Sequence, residues 1–229
     1  MRKQFLLFLF SILTCNIFAQ SNSIGVFGGI NISNVNLSNT TNIEHPDWNG
    51  KFDGESLIGF SGGVKYQRIF KIPIVLDIGV AYNQYGYYLP DRTGDSYSIV
   101  VNGQITNITI VDGSYLYCIF NYLSAPILVG YKMGKSFSFI PKFGLQPSIL
   151  MNVRNKTKWY DNEFELKQYN RFDLAGVVEL ELCYSFNHNW GVFACFDGKY
   201  SFTNYCKNGI YDEGHHYSFS TVCGVKYSF

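Results

Sequence analysis

Several sets of side chains in this 229-residue chain could do chemistry. Glu179 and Glu181 are carboxylates two residues apart, and close carboxylates push their protonation equilibria apart and can divide acid and base roles. His216 and Ser218 set a base near a hydroxyl, the combination that activates a nucleophile. Asp212, Glu213, His215 and His216 bring metal-ligating side chains into one short stretch. Cys118, Cys183, Cys195, Cys206 and Cys223 follow Cys15 at irregular spacings and without a C-x-x-C, which is neither a disulfide framework nor a zinc site. The acid–histidine stretch lacks a fixed ligand spacing and reads as solvated loop. Whether the other sets can act depends on the faces they occupy, and hence on the elements that carry them.

The periodicity of those elements is two. From His216 to Phe229, Tyr217, Phe219, Thr221, Cys223, Val225, Tyr227 and Phe229 share one face, while His216, Ser218, Ser220, Val222, Gly224, Lys226 and Ser228 share the other. Seven further runs alternate in the same way, near 24–34, 57–69, 73–88, 114–132, 137–150, 171–186 and 190–202. The connections around 70–72, 133–136 and 187–189 are tight. Those at 35–56, 89–113, 151–170 and 203–215 are long and polar.

Composition narrows the class. The chain is 47% hydrophobic and 18% aromatic, yet only 15% charged, so it is too apolar for a disordered segment. A net charge of +1 leaves no basic surplus for a nucleic acid. Arg2, Lys3 and the apolar run Phe5–Leu13, followed by Ile17-Phe18-Ala19, read as an export leader cut after Ala19 or Gln20. Thr14 fits poorly before a lipid-bearing Cys15, so the ordinary leader is preferred. Residues 1–20 are therefore expected to be a signal peptide and 21–229 a single β domain.

Beyond the leader no apolar run reaches the roughly 18 residues of a membrane helix. The alternating runs instead suit tilted membrane strands, with short turns at one end and long loops at the other. A soluble barrel would alternate too. Here, however, aromatics including Tyr66, Tyr131, Tyr184, Trp190, Tyr200, Phe202 and Tyr227 gather toward run ends, as in interfacial girdles. The pattern predicts an eight-stranded antiparallel up-and-down transmembrane β-barrel with both termini on the short-turn, periplasmic side. Ser96–Val101 and Gln104–Val111 flank Asn102-Gly103, a strong hairpin signal. Each arm is short, which favours an extracellular hairpin extending strands three and four over a ten-stranded barrel.

Parity then assigns the charged residues. Lys65, Asp77, Lys132, Lys142, Asp173, Glu179, Glu181, Asp197, Lys199 and Lys226 fall on the lumen face as a polar network. A tight turn at 70–72 would set Lys65 opposite Asp77 as a cross-strand ion pair. An eight-stranded lumen is filled by side chains, so the paired carboxylates have no room for a substrate. His216 and Ser218 face the same interior, away from lipid. No catalytic residue, cofactor or metal is expected; the alternatives are a barrel enzyme acting on lipid or surface substrates, or a narrow channel. The exposed business end is the long loops, with His45-Pro46-Asp47-Trp48 and Trp159-Tyr160 as anchors for a protein partner or for the interface.

The segments GVFGGINIS (25–33), GGVKYQ (62–67) and NYLSAPILVGYKMG (121–134) resemble the PorT-like outer-membrane β-barrel family, with Tyr122, Leu123 and Pro126 the most specific piece. The resemblance runs over essentially the whole chain after the leader. It implies a Gram-negative outer-membrane barrel with a structural or interaction role, accessory to secretion or surface assembly, and it implies no reaction. Gly224, Tyr227 and Phe229 also resemble the terminal signal read by the barrel-assembly machinery, although Val222 stands where a polar residue is usual. Outer-membrane lipid and that machinery are the implied partners.

Overall fold

Side chains alternating in polarity at every second residue need a surface with two unlike faces, and a closed sheet supplies both without leaving an edge. The computed structural model describes residues 19–38, 54–89, 96–101, 104–109, 116–156, 161–163, 166, 169–205, 207 and 213–229. In chain order the strands are β1 (Ala19–Ser38), β2 (Glu55–Phe70), β3 (Ile74–Leu89), β4 (Ser96–Val101), β5 (Gln104–Thr109), β6 (Leu116–Ser124) and β7 (Ile127–Tyr131). There follow β8 (Met133–Gly134), β9 (Phe137–Lys156), β10 (Asp161–Glu163), β11 (Phe172–Ser185), β12 (Trp190–Ser201) and β13 (Glu213–Ser228).

Each wall strand pairs antiparallel with its sequence neighbours, and β13 returns to pair with β1 from Ser23↔Ser228 to Ser38↔Glu213. The result is a closed ring of eight strands, with β6 and β7 together filling one position. The run expected at 114–132 is thus split, because Pro126 cannot donate to the ladder. The wall stays sealed there. Gly79 N–H donates to the Pro126 carbonyl at 3.0 Å, and Ala125 N–H to the Pro147 carbonyl at 2.8 Å. The β4–β5 hairpin forms a separate two-stranded sheet and adds nothing to the ring, so the ten-strand alternative does not hold. Its turn residues Asn102 and Gly103, like residues 1–18, lie outside the described residues.

The predicted register of β2 and β3 needs correction. Asp77 stands opposite Gln67, and Lys65 stands opposite Gly79, two residues away from the expected pairing. Pro73 explains the shift: lacking an N–H it cannot close the ladder opposite Ile69, so the stretch between paired positions widens from 70–72 to 70–74 and the strands re-pair as Ile69↔Val75. A shift of two keeps every side chain on its face.

Outside, the wall is apolar. Val178, Phe143, Ile58 and Phe219 are 70%, 68%, 68% and 67% exposed, values that a water-facing surface of this size would not sustain. The band from Ile24 to Ile32 on β1 rises about 20 Å along the barrel axis at ~3.3 Å per residue and a tilt near 40°, close to the ~25 Å apolar band of membrane barrels. Tyr131, Phe137, Tyr184, Trp190 and Tyr227 ring its short-turn end, with Trp190 and Tyr227 edge to face at 5.1 Å.

Candidate functional site

The inward residues build a charge cluster toward the short-turn end. Glu181, from β11, is fully buried at its centre. It accepts from Lys142 Nζ of β9 at 2.5 Å and Lys65 Nζ of β2 at 2.7 Å, with Lys226 Nζ of β13 at 3.7 Å. Lys142 also reaches Glu179 at 2.7 Å and bonds Asp77. Lys65 lies 3.8 Å from Asp77, so the expected pair is a secondary, diagonal contact and Glu181 is its main partner. Three lysines and three carboxylates therefore balance in one cluster, the condition under which charges tolerate burial. Gln67 bridges it, donating to Glu181 and accepting from Lys226 Nζ at 3.3 Å.

Two close approaches make space for the cluster. A Cβ on Gly130 would meet Lys142 Cγ at 2.6 Å, so the glycine lets the lysine stem cross the lumen. Phe193 spans the interior under Lys65, whose Nζ sits 3.9 Å above its ring, and Phe193 in turn fills the place of a side chain at Gly224.

A second level lies toward the long connections. Asp197 and Lys199 on β12 pair at 3.1 Å, with Ser220 Oγ 3.4 Å from Lys199. Asp173 accepts from Ser201 and Thr203. Above them His216 sits among rings, with centroids at 4.8 Å for Phe120, 5.0 Å for Tyr205, 5.9 Å for Tyr122 and 6.2 Å for Tyr85. Tyr205 and Tyr169 come from the long connections and stack at 6.3 Å, closing the lumen as an aromatic cap. Asn170 N–H donates to the Tyr205 carbonyl at 2.8 Å, clasping the two connections together.

Of the residues expected in the lumen, Lys65, Asp77, Lys142, Glu179 and Glu181 converge in the cluster with Lys226, and Asp197 with Lys199 forms the second level. Lys132 is half-buried at the short-turn end and joins none of these ion pairs. Gln67, Asn83 and Gln146, all nearly fully buried, complete the polar interior and share the parity that located Lys65, Asp77 and Lys142. Within Tyr122, Leu123 and Pro126, the ring enters the cap, Leu123 faces lipid at 44% exposure, and Pro126 breaks the strand. His45, Pro46, Asp47, Trp48, Trp159, Tyr160, Asp212 and Cys206 lie outside the described residues.

Glu179, Glu181 and Cys195 place possible metal-ligating atoms within 4.8 Å of one another. The Lys142 and Lys65 ammonium groups already fill the cation's position there, so the set fits no added metal. A lumen cavity of about 40 Å³, room for a few waters, lies among Lys65, Asp77, Asp197 and Lys199.

Gly224 separates two explanations of the terminal motif. A Cβ there would lie 2.3 Å from the Val26 carbonyl oxygen and 2.5 Å from Phe193 Cζ, so its smallness has a packing reason, whereas Tyr227 and Phe229 are exposed girdle rings. Gly224→Ala is expected to cost about 1–3 kcal/mol through overpacking. The loss should persist when purified chain refolds into lipid vesicles with no assembly machinery present. A defect confined to cells would assign Gly224 to the machinery instead.

An eight-stranded up-and-down ring with a lipid-facing apolar wall, aromatic girdles and a balanced, side-chain-filled lumen defines a small membrane β-barrel. The chain belongs to the family "Outer membrane protein beta-barrel domain", which matches residues 18–206, and the outer membrane is its location. No curated protein matches it. Among solved structures it is similar to OprG of Pseudomonas aeruginosa, at 10% identity over 93% of this chain and 97% of that one, with a TM-score of 0.44. Neisserial surface protein A gives 13% identity over 91% and 97%, with a TM-score of 0.43. The attachment invasion locus protein Ail of Yersinia pestis gives 11% identity over 92% and 100%, with a TM-score of 0.42.

Proposed function

We propose that the barrel is a closed anchor, without catalytic activity, that presents its long connections at the cell surface to a protein partner. The observation that carries this reading is the lumen, closed at one level by the Glu181 cluster and at another by the aromatic cap. About 40 Å³ lies between them, below the size of any organic substrate. His216 and Ser218 are both buried toward this interior, out of reach of a lipid substrate. Both termini then lie on the periplasmic side. The PorT-like segment around Tyr122 and Pro126 supports the narrower reading of an accessory to secretion or surface assembly.

The test uses intact cells. A photo-cross-linking residue at Trp48 or Trp159 should give a discrete protein adduct, and an epitope inserted at 157–160 should be stained without permeabilisation. An epitope after His188 should need permeabilisation. Adducts from none of the long connections would defeat the partner reading, and the reverse staining pattern would defeat the orientation.

A further inference from the structure

Buried polar atoms in folded proteins nearly always have hydrogen-bond partners. Among the described residues, the buried lumen atoms without one include Asp77 Oδ1, Asn31 Oδ1, Ser218 Oγ and both ring nitrogens of His216. Their positions form a series. Asp77 lines the 40 Å³ cavity together with Asp197 and Lys199. Asp197 shares a register row with Ser220 and Asn31 across β12, β13 and β1. Ser218 occupies the next inward row, between Lys199 and Ser33, and His216 the row after that, opposite Val35. From Asn31 on β1 to Ser218 and His216 on β13, unmet hydrogen bonds thus climb in successive inward rows toward the cap, with Asp77 of β3 facing the cavity below them.

Polar side chains so spaced, beside a space of this size, point to a ligand that can both donate and accept and is no larger than water. We propose that the middle of the lumen is a built water chamber. About three or four molecules occupy the cavity, at roughly 10–15 Å³ each, and others continue along the β13 wall to His216. The cavity water donates to Asp77 and Asp197, and those above it serve Asn31, Ser218 and the imidazole. The chamber has a dry counterpart. Ile69, Val75 and Ile140 form an apolar group toward the short-turn end, with Val75 and Ile140 fully buried and offering water no polar partner. The barrel interior is therefore wet between cluster and cap and dry below. This inference concerns the hydration of the closed lumen and stands whether or not the long connections bind a partner.

Synchrotron hydroxyl-radical footprinting of the refolded barrel in vesicles reads it directly, because radicals generated from bound water oxidise adjacent side chains. Leu128 lines the chamber at 3% exposure, and Ile140 lies outside it at 0%. After correction for intrinsic reactivity, Leu128 and Phe193 should be oxidised about tenfold faster than Ile140 and Val75, since a close-packed dry interior offers no water to activate. Equal, background-level rates at all four overturn the chamber. Ala81→Leu, which fills the cavity from its wall, should bring Leu128 and Phe193 down to the Ile140 rate. If that variant refolds yet Leu128 and Phe193 stay fast, the reactive water lies elsewhere and the assignment is wrong. If it does not refold, the wild-type comparison still decides.

Discussion

Glu181→Leu is expected to destabilise the barrel more than any other single lumen substitution, by about 3–5 kcal/mol, because it strands buried cations. The carboxylate holds Lys65 at 2.7 Å and Lys142 at 2.5 Å, with Lys226 at 3.7 Å. Without it three ammonium groups face Asp77 and Glu179 alone, and one buried positive charge is left unbalanced. Urea titration of the barrel in vesicles should show a midpoint lowered by roughly 1–5 M, given slopes of about 1–3 kcal/mol per molar. The compensated variant gives the sharper result. Glu181→Leu combined with Lys142→Met removes one charge of each sign and restores the balance. It should therefore be more stable than Glu181→Leu alone, a coupling that additive losses of packing cannot produce. A double variant as weak as the sum of the two singles would show that volume, and not charge, holds the cluster.

The charge balance could be anticipated from sequence, but its pairing could not. Period-two alternation fixes the face of a residue, and this placed Lys142, Glu179, Glu181 and Lys226 inside from their neighbours alone. It says nothing of which inward residue meets which across the lumen. Lys65 and Glu181 are 116 positions apart and meet only because the sheet closes. The local partner inferred for Lys65 was misplaced by a single proline, since Pro73 widens the turn and moves Asp77 opposite Gln67. Gln67 itself was legible, lying two residues from Lys65 on the same face. The cap was not. Tyr169 and Tyr205 belong to segments with no strand periodicity, and their entry into the lumen depends on the Asn170–Tyr205 clasp between connections distant in sequence. The short motif around Tyr122 was visible as a string, while its physical content, a cap ring beside a strand break, required the closed wall.

The second large effect lies on the outer face. Val178 is 70% exposed midway along β11, next to Phe143 of β9 and Gly198 of β12 in the register. If water covered this surface, Val178→Arg would be nearly neutral, within about ±0.5 kcal/mol, as surface substitutions usually are. In the bilayer the guanidinium sits near the midplane of the apolar band and should cost about 2–4 kcal/mol of folding free energy. Depth supplies the control. Tyr184, 52% exposed on the same strand at the girdle, should accept arginine for at most ~1 kcal/mol, because the side chain can reach the headgroups. Reversible urea titrations in vesicles of fixed composition measure both. A large penalty at Val178 with a small one at Tyr184 follows from strands that cross the membrane. Equal penalties at the two depths would mean that what arginine disturbs is the sheet itself, and the lipid-facing assignment of this wall would fall with that result.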